Sequence, residues 1–372
     1  MELLSKLYTT IQQTLFPMLE EEIGVLTKKQ EFFAAMVEMI KPSRFITSEL
    51  SWSGFGRPMK EREYVLRSFI LKATYNFPTT KLLIENLKTN PTLRRLCGWE
   101  YRSQVPSEAT FSRIFKVLAE TTLLSEIIGR MKQENLGDRL FCHNSSDSTA
   151  INGREKSCRK NTPKSKKKKK RGRKSKAELA AKNELEQTEI KTRRLEVQGD
   201  RSLAENLADL PVGCDWGAKR NSQGKQESWK GYKLHLSTVD GGIPVAAILT
   251  SASLHDSQVA IPLMQMSSER LGFYCYDLMD SAYDAKEIHD FSRNMGRVPI
   301  IDPNKRRGDE VQLDPAKKKR YNERSTAERT NSDLKDNHGG GNIRVKGNSK
   351  VFCHLMFGLI VITAKQMFNM LL

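Results

Sequence analysis

Three carboxylates in this chain, with three companions, are the residues whose types could do chemistry at a phosphate. Asp147, Asp280 and Glu328 stand 133 and 48 residues apart, so spacing alone does not join them. Their type carries the reading: hard oxygen donors suit Mg2+ or Mn2+. Two such ions roughly 3.5–4 Å apart activate an attacking oxygen and stabilise the leaving one at a phosphodiester. Around Glu328 the pattern is local, since Tyr321, Arg324, Glu328 and Lys335 are separated by three, four and seven residues. On a helical repeat Arg324, Glu328 and Lys335 share one broad face, which offers cation, carboxylate and cation to the same phosphates. The same spacing also describes an ordinary i,i+4 ion pair worth about 0.3 kcal/mol. Residue by residue, an aspartate is as readily a helix cap or a surface group.

The acids need elements to position them. Residues 141–149 (FCHNSSDST) read as a strand that ends in a polar turn at Asp147. Residues 231–238 alternate apolar and polar, Asp240-Gly241-Gly242 turns the chain, and 243–249 is a continuous apolar partner, so the two form a hairpin. A helix over 257–270, a strand over 273–279, a helix over 286–295, a strand over 298–301 and a helix over 325–336 follow. This order predicts an α/β fold, a mixed sheet flanked by helices. If the first and fourth strand segments lie side by side, Asp147 and Asp280 meet at one edge, and the last of these helices can bring Glu328 beside them. His255 and Asp256, at a strand-to-helix connection, either support that site or cap the helix.

Charge points to the partner. Lys plus Arg is 62 against 44 Asp plus Glu, a net charge of +18, which favours a polyanion: nucleic acid first, an anionic membrane surface second. With 38% hydrophobic residues the chain can build a core. Its longest apolar run, 355–362, falls short of the roughly 20 residues a membrane span needs. Glu2 and Lys6 interrupt the N-terminus, so no secretory leader is expected. Six scattered cysteines without a CxxC read as reduced and structural. Residues 1–135 read as helices, and Arg113 and Lys116 stand three apart on the polar side of the one over 108–118, which Ser107 can cap. Such a helix either enters a major groove or is a plain bundle helix with solvated cations. Residues 164–176 hold ten basic residues in thirteen. Lys164, Lys166, Lys167, Lys168, Lys169, Lys170, Arg171 and Arg173 in that run would neutralise phosphates. Residues 177–197 read as a charged helix, and the apolar stretch 355–372 as a helix covering the sheet.

These blocks carry a resemblance. Asp147-Ser148-Thr149, LMDSAYD at 278–284, YNERSTAERTNSDLK at 321–335 and the hairpin segment 231–257 resemble insertion-sequence transposases of the DDE class. SFILKATYNFPTTKLLIENLKTNPTLRRLCG and PSEATFSRIF are similar to the N-terminal region of that group, so the likeness covers roughly residues 55–372. The 321–335 block reads Y-x2-R-x3-E-x6-K; the 278–284 block has Ser281-Ala282 where a glycine before the tyrosine is usual. Asp215, in CDWGAK, is the rival for the first acid. The resemblance implies a ribonuclease-H-like core with a helical N-terminal domain at 1–135, a first strand at 136–160, a basic insertion at 161–210 and the rest of the core at 211–372. It implies two Mg2+ ions, replaceable by Mn2+, held by Asp147, Asp280 and Glu328. Lys335 and Arg324 would contact phosphates, and Tyr321 the DNA end. The implied substrates are terminal inverted repeats and target DNA, bound by a dimer in the cytoplasm of a prokaryotic cell. A nuclease that never joins strands, and a catalytically silent DNA-binding descendant, are the rival readings.

Overall fold

Alternation in the hairpin sequence builds the centre of the sheet. The computed structural model describes residues 2–46, 61–137, 139–158, 193–220, 224–304 and 313–371. β1 is Phe141–Asn152, β2 Asp215–Arg220, β3 Gln226–Val239, β4 Ile243–Ser251, β5 Tyr274–Met279 and β6 Val298–Ile301. β3 pairs antiparallel with β1 on one side and β4 on the other, while β2 pairs with its N-terminal part. β5 and β6 continue the sheet parallel to β1. The order β4–β3–β1–β5–β6, with β3 alone reversed, is that of a ribonuclease-H-like mixed sheet.

Two strand expectations change. β1 does not end at Asp147 but runs on to Asn152, because Ser148 to Asn152 keep their pairing with His235 to Gly231. Asp147 therefore sits inside the strand. β2, and the start of β3 at Gln226, do not show in the sequence as strands. Their residues, DWGAKR and QESWK, are polar edge sequence with little apolar alternation. The chains cross closely here: a Cβ on Gly231 would lie 2.1 Å from the carbonyl oxygen of Ile151. Ser107 stands at the N-cap of the helix Glu108–Ala119, but its hydroxyl meets that of Thr110 at 3.3 Å and caps no backbone N–H.

Helices cover both faces. Ser257–Leu271 and Lys286–Asn294 pack on one, with Met264, Met279, Tyr283, Ile288 and Ile301 between them and the strands. On the other lie Ser325–Asn337 and the C-terminal helix Asn348–Asn369. The latter is the one helix among the described residues long and apolar enough to cross a membrane; 78% of that window is buried inside the protein. It is apolar all round because it is covered all round. One side meets β4, all of whose residues are buried. The other meets the N-terminal helices, where Phe357 lies 5.4 Å from Phe69 and 6.3 Å from Phe115. A continuous hydrophobic core thus runs from the N-terminal helices through this helix into β1, β3 and β4. Of residues 159–192, which include the basic run from Lys164 to Arg173, all lie outside the described residues.

Candidate active site

Register brings the first two acids together. Ser145 of β1 lies opposite Leu278 of β5, and Leu278 opposite Ile300 of β6. Two residues further on, on the same face of each strand, come Asp147, Asp280 and Asp302. The pairing of β1 with β5 has ended there, while β1 itself runs on against β3. The arrangement expected of adjacent first and fourth segments is what the backbone builds.

Each carboxylate is held differently. Asp147 is 18% exposed; its Oδ2 accepts from Asn331 Nδ2 at 3.0 Å, and its Oδ1 lies 3.8 Å from Arg324 Nη1. Burial pushes its pKa up to about 6, against the attraction of Arg324 and with help from neighbouring Asp280. Asp280 caps the turn Ser281–Tyr283, where its Oδ1 accepts from Ala282 N at 2.9 Å. Burial raises its pKa too, and Asp256 and Asp302 add repulsion. Two part-buried acids thus stand on neighbouring strands, with Arg324 as the cation that offsets the cost of burying both.

Glu328 is not gathered with them. Its side chain is 52% exposed and ion-paired to Arg324 Nη2 at 2.5 Å. Among the described residues no three His, Cys, Asp or Glu side chains stand close enough to hold a metal ion. Arg324 lies between the two groups: one guanidinium nitrogen faces Asp147, the other Glu328, and the ring of Tyr321 is 5.5 Å away. The i,i+4 pair read from the 321–335 spacing is therefore present, and its arginine also borders Asp147. Lys335, half-buried on the same helix, has its pKa lowered by burial and by Lys219 of β2, with Asp147 attracting it.

Several neighbours were not legible as site residues. Asn331, three residues after Glu328 and four before Lys335, follows the same helix face, and that periodicity was its available signal. Asp302 follows β6 as Asp280 follows β5. Asp256 is no side-chain cap: its carboxylate takes Lys233 Nζ at 2.8 Å and lies 4.0 Å from His235 Nδ1. The cap falls to His255, whose Nδ1 accepts from Ser257 N at 3.4 Å. Asp215 pairs with Gly231, which also faces Asn152, so it lies five residues along β1 from Asp147, or roughly 17 Å. Arg113 and Lys116 are exposed; Arg113 donates to Thr110 Oγ1 at 3.3 Å, and Lys116 is 4.0 Å from Glu120.

Comparison with known families agrees with this architecture. The family model described as "Transposase DDE domain" matches residues 139–364, the whole sheet, the helix Ser325–Asn337 and the C-terminal helix as far as Ala364. A second, described as "Transposase domain (DUF772)", matches residues 21–117, in the helical region. No curated protein and no solved structure matches the chain. The first match spans more than half of the 372 residues and contains every strand that aligns the aspartates. The chain therefore belongs to the transposases with a DDE domain, enzymes that act on DNA.

Proposed function

We propose that this transposase cuts DNA at the inverted-repeat ends of its element and joins the freed ends to target DNA, using Asp147, Asp280 and Glu328 with divalent metal. The observation that carries the reading is the alignment of Asp147 with Asp280 on adjacent parallel strands, both part-buried and both with pKa values raised by desolvation. The donor set fits Mg2+, with Mn2+ as a substitute: all-carboxylate oxygen ligands, two of them already adjacent. Bound there, two such ions would supply Lewis acidity to the attacking and leaving oxygens.

The chain's own residues do the rest. Asp147 and Asp280 fix the place of the reacting phosphate relative to the sheet. Asn331 holds the Asp147 carboxylate in one orientation. Arg324 neutralises Asp147 and Glu328 until substrate arrives, then turns its guanidinium to phosphate oxygens, which it can grip with two N–H groups. That exchange frees Glu328 to join the aspartates. Lys335 reaches a neighbouring phosphate, and Tyr321 packs against the DNA end. In the first step water adds to phosphorus and the element's 3′ oxygen leaves as a hydroxyl. In the second, that hydroxyl attacks a target phosphodiester and displaces the target's 3′ oxygen. The first step is a downhill hydrolysis and the second makes one phosphodiester for the one it breaks, so no external energy source is needed. The exposed Arg113 and Lys116, with the basic run from Lys164 to Arg173, hold DNA away from the cut, and a dimer pairs the two element ends.

The test is cleavage and strand transfer by purified protein. A labelled duplex carrying the terminal repeat and its flank is mixed with a target plasmid in Mg2+, Mn2+ or EDTA, beside Asp280→Ala. Metal-dependent nicking and labelled plasmid, both lost in the variant, are expected. Nicking without labelled plasmid would leave a nuclease; specific binding with no product under any metal would leave a silent DNA-binding protein. The Arg324–Glu328 pair favours the second of these over the first as the rival, because it withholds the third acid.

A further inference from the structure

Where the N-terminal helices meet the catalytic core there is a cavity of about 430 Å3, well away from the aspartates. Its floor is aromatic, with Phe69, Phe111 and Phe357. Three separate segments bring cations to its walls: Lys72 from the helix Arg62–Thr74, Arg154 just past β1, and Arg344 before the C-terminal helix. Glu108 is the one carboxylate among its lining residues.

The cations are under-partnered. The Lys72 ammonium has no hydrogen bond or ion pair among the described residues, and burial lowers its pKa to about 8. Arg154 donates through Nη1 to the carbonyl of Arg344 at 3.3 Å, which draws two of the three segments together. His338 and His354 contribute no charge to offset or add: each uses a ring nitrogen on a backbone carbonyl, Ala73 at 3.2 Å and Gly339 at 2.9 Å, and burial lowers both pKa values. A part-buried ammonium and two exposed guanidinium groups border one space with a single exposed carboxylate, an excess of positive charge that an anion would offset.

The cavity's place says which anion. The helix Ser325–Asn337 runs from Glu328 past Lys335 to His338 at the cavity wall. Ten residues of helix cover about 15 Å. One DNA strand advances about 3.4 Å per nucleotide, so that distance is about four or five nucleotides. We propose that this cavity holds a backbone phosphodiester of the DNA strand being cut, about four or five nucleotides from the reacting phosphate, with Lys72, Arg154 and Arg344 as positioning residues. The proposal rests on the DNA-cutting reading above. It gives the N-terminal helices a direct part in placing the substrate, since Lys72 belongs to them and Arg154 and Arg344 to the core.

The experiment separates this site from the reaction. Binding of the full chain to the terminal-repeat duplex is measured in EDTA by fluorescence anisotropy, as salt is varied. A series of duplexes carries one neutral methylphosphonate at each successive backbone position. Wild type is expected to lose roughly tenfold in affinity when the phosphate at the cavity is neutralised, as for one charge-assisted contact. Lys72→Met and Arg154→Gln should lose a similar factor on unmodified DNA and show no further loss at that one position. The slope of log affinity against log salt should fall by about one for each variant. Lys6→Ala, on an exposed helix end paired with Glu2, serves as the unchanged control. Melting curves check folding, and Lys72→Arg, which keeps the charge, should restore most of the affinity. If the methylphosphonate profile of Lys72→Met matches wild type, the site is overturned while DNA cutting stands. If inorganic phosphate perturbs the labelled Lys72 ammonium signal but no methylphosphonate does, the cavity takes free phosphate and the proposal fails. If wild type binds no DNA, the underlying reading fails with it.

Discussion

Arg324 carries the most information of any single residue. It stands 3.8 Å from Asp147 and 2.5 Å from Glu328, so one cation serves two of the acids proposed to hold metal. Removing it should have opposite effects on two measurements. Arg324→Ala is expected to bind Mn2+ more tightly by calorimetry, because a like charge has gone, and to cut DNA about 10- to 100-fold more slowly, because a phosphate contact has gone too. A fall in both would mean that Arg324 only holds the fold. Asp147 gives a second outcome: Mn2+ should raise the melting temperature of wild type by linkage and leave that of Asp147→Asn unmoved. At Lys72 the pH dependence has a definite sign. Its pKa is lowered from 10.5 to about 8 by burial, and a phosphate beside it would raise it again. Binding then takes up a proton. Affinity is full below pH 8 and declines above it, a decline that Lys72→Met should abolish in an anisotropy titration. Glu108, Arg154, Arg344, His338 and His354 also line that cavity, and burial holds the two histidines below their ordinary range.

Among the elements, the helix Ser325–Asn337 has two jobs. Its exposed face carries Glu328 and Lys335, and its buried residues Thr326, Ala327, Thr330, Asn331 and Leu334 seat it on the sheet and the C-terminal helix. Gly358 permits that seat: a Cβ there would lie 2.5 Å from Leu334 Cδ1 and 2.7 Å from the His338 carbonyl oxygen. Gly358→Ala should therefore push the helix outward. The cost expected in chemical denaturation is about 1–3 kcal/mol, and cleavage should slow by more than DNA binding weakens. Stability falling with cleavage unchanged would show that Glu328 does not depend on this packing. Strand register places the other two acids side by side. A one-residue slip of β5 against β1 would turn Asp280 to the opposite face, which is why its apolar core residues Leu278 and Met279 matter to the chemistry.

For the whole molecule, the C-terminal helix is the common support. It joins the N-terminal helices to the sheet through one hydrophobic core, so the two regions matched by separate family models are packed as one body of side chains. Phe357, buried against Phe69 and Phe115, sits at that junction. Phe357→Ala should cost about 3–5 kcal/mol, read as a lower melting temperature in a single transition. Two separated transitions would show that the regions unfold independently.

Sequence by itself determined much of this protein. Apolar alternation in 231–238 and the unbroken apolar run after Asp240-Gly241-Gly242 mark a central hairpin, although the alternation does not show that His235 and Ser237 are buried as well. The 325–336 periodicity fixes a helix with Arg324, Glu328 and Lys335 along one side. Excess positive charge requires a polyanionic partner, since it is a property of the chain in any fold. What the sequence could not settle is what depends on distances between segments far apart along it. β1 passes Asp147 because β3 pairs beyond it, and β2 forms only because β3 extends to meet it. Asp256 is drawn from its cap position by Lys233 and His235, on a strand more than twenty residues earlier. The cation-lined cavity takes one wall residue from each of three distant segments, and no local pattern marks Lys72, Arg154 and Arg344 as neighbours. Local energetics select strands, turns and helices one window at a time, whereas burial and charge at a site are sums over everything packed around it, and those exist only in the tertiary structure.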